Sequence, residues 1–151
     1  MIASRPLFTI QLRLHPPQDL GATPLGRRRI IAVSGGEFAG DRLRGTVLPL
    51  GGSDWLLERA DGSFQQDARV TLETDDGALI GMSYRGVRRA SPEVAARLAR
   101  GEVVDPSEYY LRTAPMFETA AERYAWINQI VAIGVGGRVA GGVRYDVFEV
   151  L

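Results

Sequence analysis

Residues 53–87, "SDWLLERADGSFQQDARVTLETDDGALIGMSYRGV", decide how this chain folds. Two Asp-Gly dipeptides, Asp61-Gly62 and Asp76-Gly77, cut the stretch into three strand-like runs. Asp-Gly is a strong short-range hairpin signal, because both central residues of a type I′ turn need positive φ. Counting outward from two-residue turns pairs Glu58 with Gln65, Leu56 with Asp67 and Asp54 with Arg69. The second turn pairs Arg69 with Tyr84 and Asp67 with Gly86, so the two registers share one row: Asp54, Arg69, Tyr84. Direct cross-strand neighbours lie about 5 Å apart at Cβ, which places an acid, a guanidinium and a phenol in contact.

The opposite face carries Trp55, Leu57, Phe64, Ala68, Val70, Leu72, Leu79 and Val87 and is far more apolar. The simplest reading makes that face the core and leaves the polar row in solvent, where its ion pair is worth at most ~1 kcal/mol. Leu56, Ile80 and Met82 lie on the supposedly wet face, however, and argue against it. A barrel removes the conflict if the mixed face lines its lumen and helices or another subunit cover the apolar outside.

"SEYYLRTAPMFET", residues 107–119, shows the same mixture. Tyr110 and Arg112 share a parity and are expected to close the cavity opposite the polar row, with Tyr109 and Leu111 in an outer packing layer. Pro115 should end the strand and leave Phe117 and Glu118 at the rim.

Elsewhere "FTIQLRLH" (8–15) alternates Phe8, Ile10, Leu12 and Leu14 against polar residues, and two prolines follow His15. Short apolar segments separated by Gly-Gly and Ala-Gly-Asp fill residues 26–52 and read as strands with tight turns or bulges. "SPEVAARLARGE" (91–102) predicts a short helix capped by Ser91, with Pro92 at its first position and Gly101 as its stop. "TAAERYAWINQI" (119–130) predicts a weaker one. "GVGGRVAGG" (134–142) fails the G-x-G-x-x-G pattern, having Val139 in place of the third glycine, and reads as a flexible strand and turn. The chain should therefore be mainly β, a single antiparallel barrel over residues 1–151 with one or two short helices and no linker or repeat.

Composition narrows the chemistry. All eighteen basic residues are Arg, the formal net charge is zero, and Lys and Cys are absent. Schiff-base, P-loop lysine and thiolate mechanisms are excluded. His15 is the only histidine, so a multi-histidine metal site is impossible, and no metal or cofactor is expected. The one basic run, Arg27 to Arg29, points to both sides of a strand and gives no stripe for a nucleic-acid backbone. No apolar run approaches the ~20 residues of a membrane span, and a cytoplasmic location is the default expectation.

The ordered segments "GRRRIIAVSGGEFAGDRLRGTVLPLGGSDW", "ADGSFQQDARVTLETDDGALI", "YRGVRR", "DPSEYYLRTAPMFET" and "YAWINQI" resemble the signature blocks of the DUF3237 family, also called UPF0311, over nearly the whole chain. The resemblance implies a single-domain antiparallel β-barrel and little about function. It implies characteristic positions at Gly36, Gly45, Asp54, Trp55, Asp67, Arg69, Asp76, Gly77, Tyr110, Arg112, Phe117, Glu118, Trp126 and Asn128. Leu111 and Gly81 depart from the pattern, where an aromatic and a larger residue are expected.

If the lumen is the site, Arg69 and Arg112 would hold a carboxylate or polarise an enolate oxygen. Asp54, Asp67 or Glu118 would act as acid or base, and Tyr84 or Tyr110 as proton donor. Trp55, Trp126 and Asn128 complete the candidate substrate-binding set. This inventory points to cofactor-independent isomerisation, cyclisation, hydration or elimination on an oxygenated small molecule such as a carboxylate, lactone or phenol. The alternatives are a non-catalytic small-molecule-binding barrel and a structural homo-oligomer whose aromatic strip is an interface.

Overall fold

Strand periodicity governs the structure, a computed structural model that describes residues 1–151. Its ten strands are β1 (Ser4–Leu14), β2 (Gln18–Thr23), β3 (Gly26–Ala39), β4 (Arg44–Val47), β5 (Ser53–Glu58), β6 (Phe64–Thr74), β7 (Leu79–Arg89), β8 (Tyr110–Glu118), β9 (Val131–Val139) and β10 (Gly142–Val150). All pairings are antiparallel, and the sheet closes into an eight-stranded barrel because β1 pairs with both β10 and β3. β4 and β5 share one position, each lying between β3 and β6. Pro16 and Pro17, which cannot donate to a ladder, separate β1 from β2.

The two hairpins turn differently from the two-residue expectation. Arg59 N donates to Ser63 O (2.8 Å) and Gly62 N to Arg59 O (2.9 Å), so the first loop is Ala60-Asp61-Gly62. Thr74 N donates to Ala78 O and Gly77 N to Thr74 O, both at 2.9 Å, so the second is Asp75-Asp76-Gly77. Each has a single positive-φ residue, Gly62 (82°) or Gly77 (85°), the pattern of a type I turn followed by a left-handed glycine. Side chains reinforce this geometry: Asp61 Oδ1 accepts from Ser63 N at 2.9 Å, and Thr74 Oγ1 accepts from Ala78 N at 2.9 Å.

One extra residue in each loop slips β6 by one against both neighbours, and a one-residue slip exchanges the faces of a strand. Ala68, not Arg69, faces Asp54 and Tyr84; Arg69 faces Ser53 and Ser83. Asp54 and Tyr84 keep their shared row, while Arg69 and Asp67 move outside. The apolar residues Ala68, Val70 and Leu72 join Ile80 and Met82 inside, which resolves the conflict between the mixed faces.

On β8 the expected parity is reversed. Leu111, Thr113, Pro115 and Phe117 point inward and are buried, whereas Tyr110, Arg112 and Glu118 point outward. Pro115 sits within the strand rather than at its end, and Phe117 is core, edge-on to Phe8 at 5.9 Å between ring centres. Tyr109 is likewise buried, its hydroxyl accepting from Arg138 N at 2.7 Å.

The helix α1 (Pro92–Ala99) forms as expected, with Ser91 Oγ accepting from Val94 N at 3.2 Å and Gly101 at φ 80° beyond its end. Val94 and Leu98 anchor it in the core, and Arg138 donates to the Leu98 carbonyl. Residues Glu122–Gln129 wind as 3₁₀ helix, burying Tyr124 and Ile127. The buried apolar side chains form one cluster running through the barrel, so the lumen is a packed core over most of its length. No helix is long and apolar enough to cross a membrane.

Candidate functional site

Polar side chains enter the barrel toward the end formed by the N-terminal half of β3, the end of β5, the start of β6 and the end of β7. The opposite end is tied off by Glu149, which accepts from Arg5 Nε at 2.8 Å and from Arg42 at 2.5 Å, with the Trp126 ring stacked 3.8 Å from the Arg42 guanidinium carbon.

Asp54 anchors the polar end. The β5–β6 ladder is interrupted between the pairs Asp54–Ala68 and Leu57–Gln65, and Asp54 Oδ1 accepts from the Asp67 amide at 2.9 Å in the gap. Burial pushes the half-buried carboxyl up to about 6; the negative charge of Asp67 adds to the rise, and the Asp67 amide and Arg28 oppose it. A carboxyl poised there exchanges protons near neutrality.

Tyr84, from the same row, is fully buried and meets Tyr145 edge-on at 5.5 Å. Burial raises both phenols, and the charge of Asp54 raises them further, so each remains a proton donor. The Tyr145 ring fits because β9 offers glycines: a Cβ on Gly136 would collide with Tyr145 Cδ1 and Cε1 and lie 2.9 Å from Leu111 Cδ2.

Gln66 and Arg88 extend the group along the same inward parities of β6 and β7. Gln66 is 5% exposed, and its Oε1 is the one buried side-chain polar atom without a hydrogen-bond partner. The Arg88 guanidinium carbon lies 4.3 Å from the Phe64 ring centre, with that of Arg29 at 5.8 Å from the same ring. Arg29 reaches Glu58 at 3.4 Å; Arg88 has no ion-pair partner, and burial together with Arg138 pushes its guanidinium down.

The remaining candidates lie outside. Trp55, Asp67 and Arg69 line an open cleft of about 570 Å³ on the outer barrel face, with Ser53, Ser83 and Arg85 among its other walls. Asp54 adjoins this cleft through its chain neighbours Ser53 and Trp55 and its bond to the Asp67 amide. Tyr110 and Arg112 do not close the lumen: Arg112 and Arg89 stack on Tyr110 at 4.8 and 4.6 Å on the outer surface. Glu118 is exposed beside Gly81, which has no side chain to cover it. Trp126 is engaged by Arg42, and Asn128 closes the end of β8 by two hydrogen bonds with the Thr119 backbone, at 2.8 and 3.0 Å. No group of three His, Cys, Asp or Glu side chains is placed to hold a metal ion.

The structure thus keeps Asp54 and Tyr84 together and adds Gln66, Arg88 and Tyr145. Strand alternation alone puts Gln66, a lone amide, into the row Phe64, Ala68, Val70, Leu72, and the three-residue turns are what bring that row into line with Asp54 and Tyr84. Tyr145 lies between Val143 and Val147 in the apolar parity of the last strand, a weaker signal.

The DUF3237 family model, described as a protein of unknown function, matches residues 2–150. A UPF0311 protein of Rhodopseudomonas palustris is 39% identical over 96% of this chain and 94% of its own, and a crystal structure of a Rhodopseudomonas palustris protein of unknown function superimposes with a TM-score of 0.96 at 37% identity, covering 100% of this chain and 99% of its own. A β-barrel-like protein of Acinetobacter baumannii is 39% identical, with a TM-score of 0.87 over 100% of this chain and 97% of its own. More distantly, the hydroalkoxylation enzyme phnH of Penicillium herquei is 27% identical over 85% of this chain and 70% of its own.

Proposed function

Since the chain belongs to the DUF3237 family of β-barrels, whose description names no reaction, we propose that it is a cofactor-independent isomerase, cyclase or lyase working by acid-base chemistry on an oxygenated small molecule. The observation that carries this reading is the Asp54 carboxyl, raised to about 6 beside two buried phenols at the polar end of the barrel. Asp54 carries the proton to or from the reacting atom, and Tyr84 and Tyr145 donate hydrogen bonds to oxygen as charge develops there. A distant relative that performs hydroalkoxylation supports the class. Adding an alcohol across a double bond gives one carbon a proton, bonds the oxygen to the other carbon and releases the hydroxyl proton, so one proton shuttle suffices and nothing is oxidised.

The test is a screen of unsaturated alcohols, hydroxy acids and phenols for products of unchanged mass, or of mass changed by one water. Turnover should follow a group titrating near pH 6, and Asp54→Asn should lower kcat by roughly 10²–10⁴, the usual worth of a general acid or base. Turnover that survives Asp54→Asn overturns the assignment.

A homo-oligomeric assembly has its own support. Met116, Val131 and Ile133 project outward from β8 and β9 and are 55%, 58% and 40% exposed, beside outward-facing Phe148 on β10. Contiguous exposed apolar strips of this kind mark interfaces. Ile133→Arg should convert the oligomer to monomer by light scattering while leaving the far-UV spectrum unchanged; an identical mass for both proteins removes this reading.

A further inference from the structure

Arg88 is an unusual residue to find on an inward-facing barrel position. A half-buried guanidinium loses hydration, and a charge taken from water is normally paired. Arg88 instead lies over the Phe64 ring at 4.3 Å with no carboxylate within ion-pairing distance, and its nearest charged neighbours include two further arginines, Arg138 and Arg29. Arg138 donates to the Leu98 carbonyl, and Arg29 approaches Glu58. Glu58 at the mouth and Asp54 further in set two carboxyl groups against three guanidinium groups, which leaves this end of the barrel net positive.

The second observation is independent. Gln66 stands on β6 between Phe64 and Ala68 in the inward parity, two residues along the strand from the pairs Phe64–Arg88 and Ala68–Tyr84. Its Oε1 is buried and accepts no hydrogen bond, an uncompensated loss of hydration that is rare for a buried polar atom. A donor supplied from outside the chain would satisfy it. Solvent reaches this end, since the side chains of Arg29 and Glu58 are 28% and 36% exposed.

We infer that the polar end of the barrel is a subsite for a hydroxylated organic anion, whose charged group pairs with Arg88 beside Phe64 and whose hydroxyl donates to Gln66 Oε1. The anion would occupy the mouth and the hydroxyl the next position inward, with the reacting part of the molecule directed toward Asp54 and Tyr84, one position further along β6 and β7. This assignment deepens the acid-base reading and rests on the barrel interior being the site. It moves substrate binding from Arg69 and Arg112, which face outward, to an arginine that faces in.

The experiment uses 4-hydroxybenzoate as the probe and its neutral isostere 4-hydroxybenzamide as the control, with affinity read by calorimetry and thermal shift. 4-Hydroxybenzoate should bind and 4-hydroxybenzamide should bind at least about tenfold more weakly, as expected for loss of one charge-assisted hydrogen bond. Arg88→Gln, with Arg29→Gln as a second variant should the first not fold, should weaken 4-hydroxybenzoate by a similar factor. Gln66→Leu should raise the melting temperature of the free protein and reduce the response to the probe. Arg69→Gln and Arg112→Gln should leave binding unchanged. Equal affinity for acid and amide, full binding by the Arg88 and Arg29 variants, or no binding of the acid overturns the subsite. The result is separable from the catalytic reading: Asp54→Asn should still bind the probe, and Asp54 titration is followed by NMR without any ligand.

Discussion

Asp54→Asn is expected to stabilise the protein at neutral pH while lowering the proposed acid-base turnover. An aspartate in the unfolded chain titrates near 4, whereas Asp54 in the barrel titrates at about 6. Between those values the native state binds more protons than the unfolded state, so its contribution to stability falls as pH rises from about 4 to about 6 and stays low above. The full linkage is worth about 3 kcal/mol, and partial solvation of the carboxyl brings the expectation to roughly 2 kcal/mol. Asparagine retains the Oδ1 acceptor for the Asp67 amide and carries no charge into the barrel. The variant should therefore melt about 4–8 °C above wild type at pH 7.5 and within a degree or two of it at pH 4, given roughly 2–4 °C per kcal/mol for a chain of this size. Superimposable stability profiles for the two proteins from about pH 4 to 8 would show that Asp54 is an ordinary solvated aspartate. A stabilising substitution that destroys activity is the signature of a strained functional group.

The fold was legible because its signals are local. Alternation in residues 8–14 sets β1, the cap-proline-glycine pattern sets α1, and the glycines at 62 and 77 mark the hairpins. What the residues left undetermined was the length of each turn by one residue. Asp-Gly serves both a two-residue loop and the last two positions of a three-residue loop, and the difference lies in whether one or two residues take positive φ. That single residue decides whether Arg69 or Ala68 enters the barrel. Packing settles it: the observed register buries Ala68, Val70 and Leu72, while the other would bury the Asp67 carboxylate and desolvate an Asp54–Arg69 ion pair in their place.

The candidate site was legible to the extent that it depended on β5 and β7, and illegible where it depended on β6 and β8. Asp54 and Tyr84 survived because the two slips act on the strand between them, leaving the outer pair in line. Tyr110 and Arg112 were misplaced because aromatic and guanidinium groups stack equally well on an outer surface, as they do here with Arg89. Gln66 and Arg88 lie within the family-like segments "ADGSFQQDARVTLETDDGALI" and "YRGVRR", but a lone amide and a lone arginine signal no chemistry by type or spacing. Their significance comes from burial and from missing partners, and a missing partner is a property of three dimensions.

Gly136→Ala should destabilise the barrel and disturb the acid together. The added methyl would strike the Tyr145 ring at two carbons and crowd Leu111, and the ring has no free side to move into because it is fully buried against Tyr84. Overpacking of this kind costs about 1–3 kcal/mol, more than the roughly 0.4–1 kcal/mol that replacing glycine by alanine gains through the unfolded chain. A fall in melting temperature of about 3–8 °C follows. Tyr145→Leu loses the ring and leaves a void, so it is destabilising alone, yet it removes the atoms that the new methyl at position 136 would hit. The double variant should then be more stable than the sum of the singles by about 1 kcal/mol or more, and strict additivity would show that Gly136 is there for some reason other than Tyr145. Displacing Tyr145 also admits water toward Asp54, so the carboxyl in Gly136→Ala should titrate below its wild-type value of about 6. A melting point that falls without any movement of the Asp54 titration would separate the packing of the barrel from the poise of its acid.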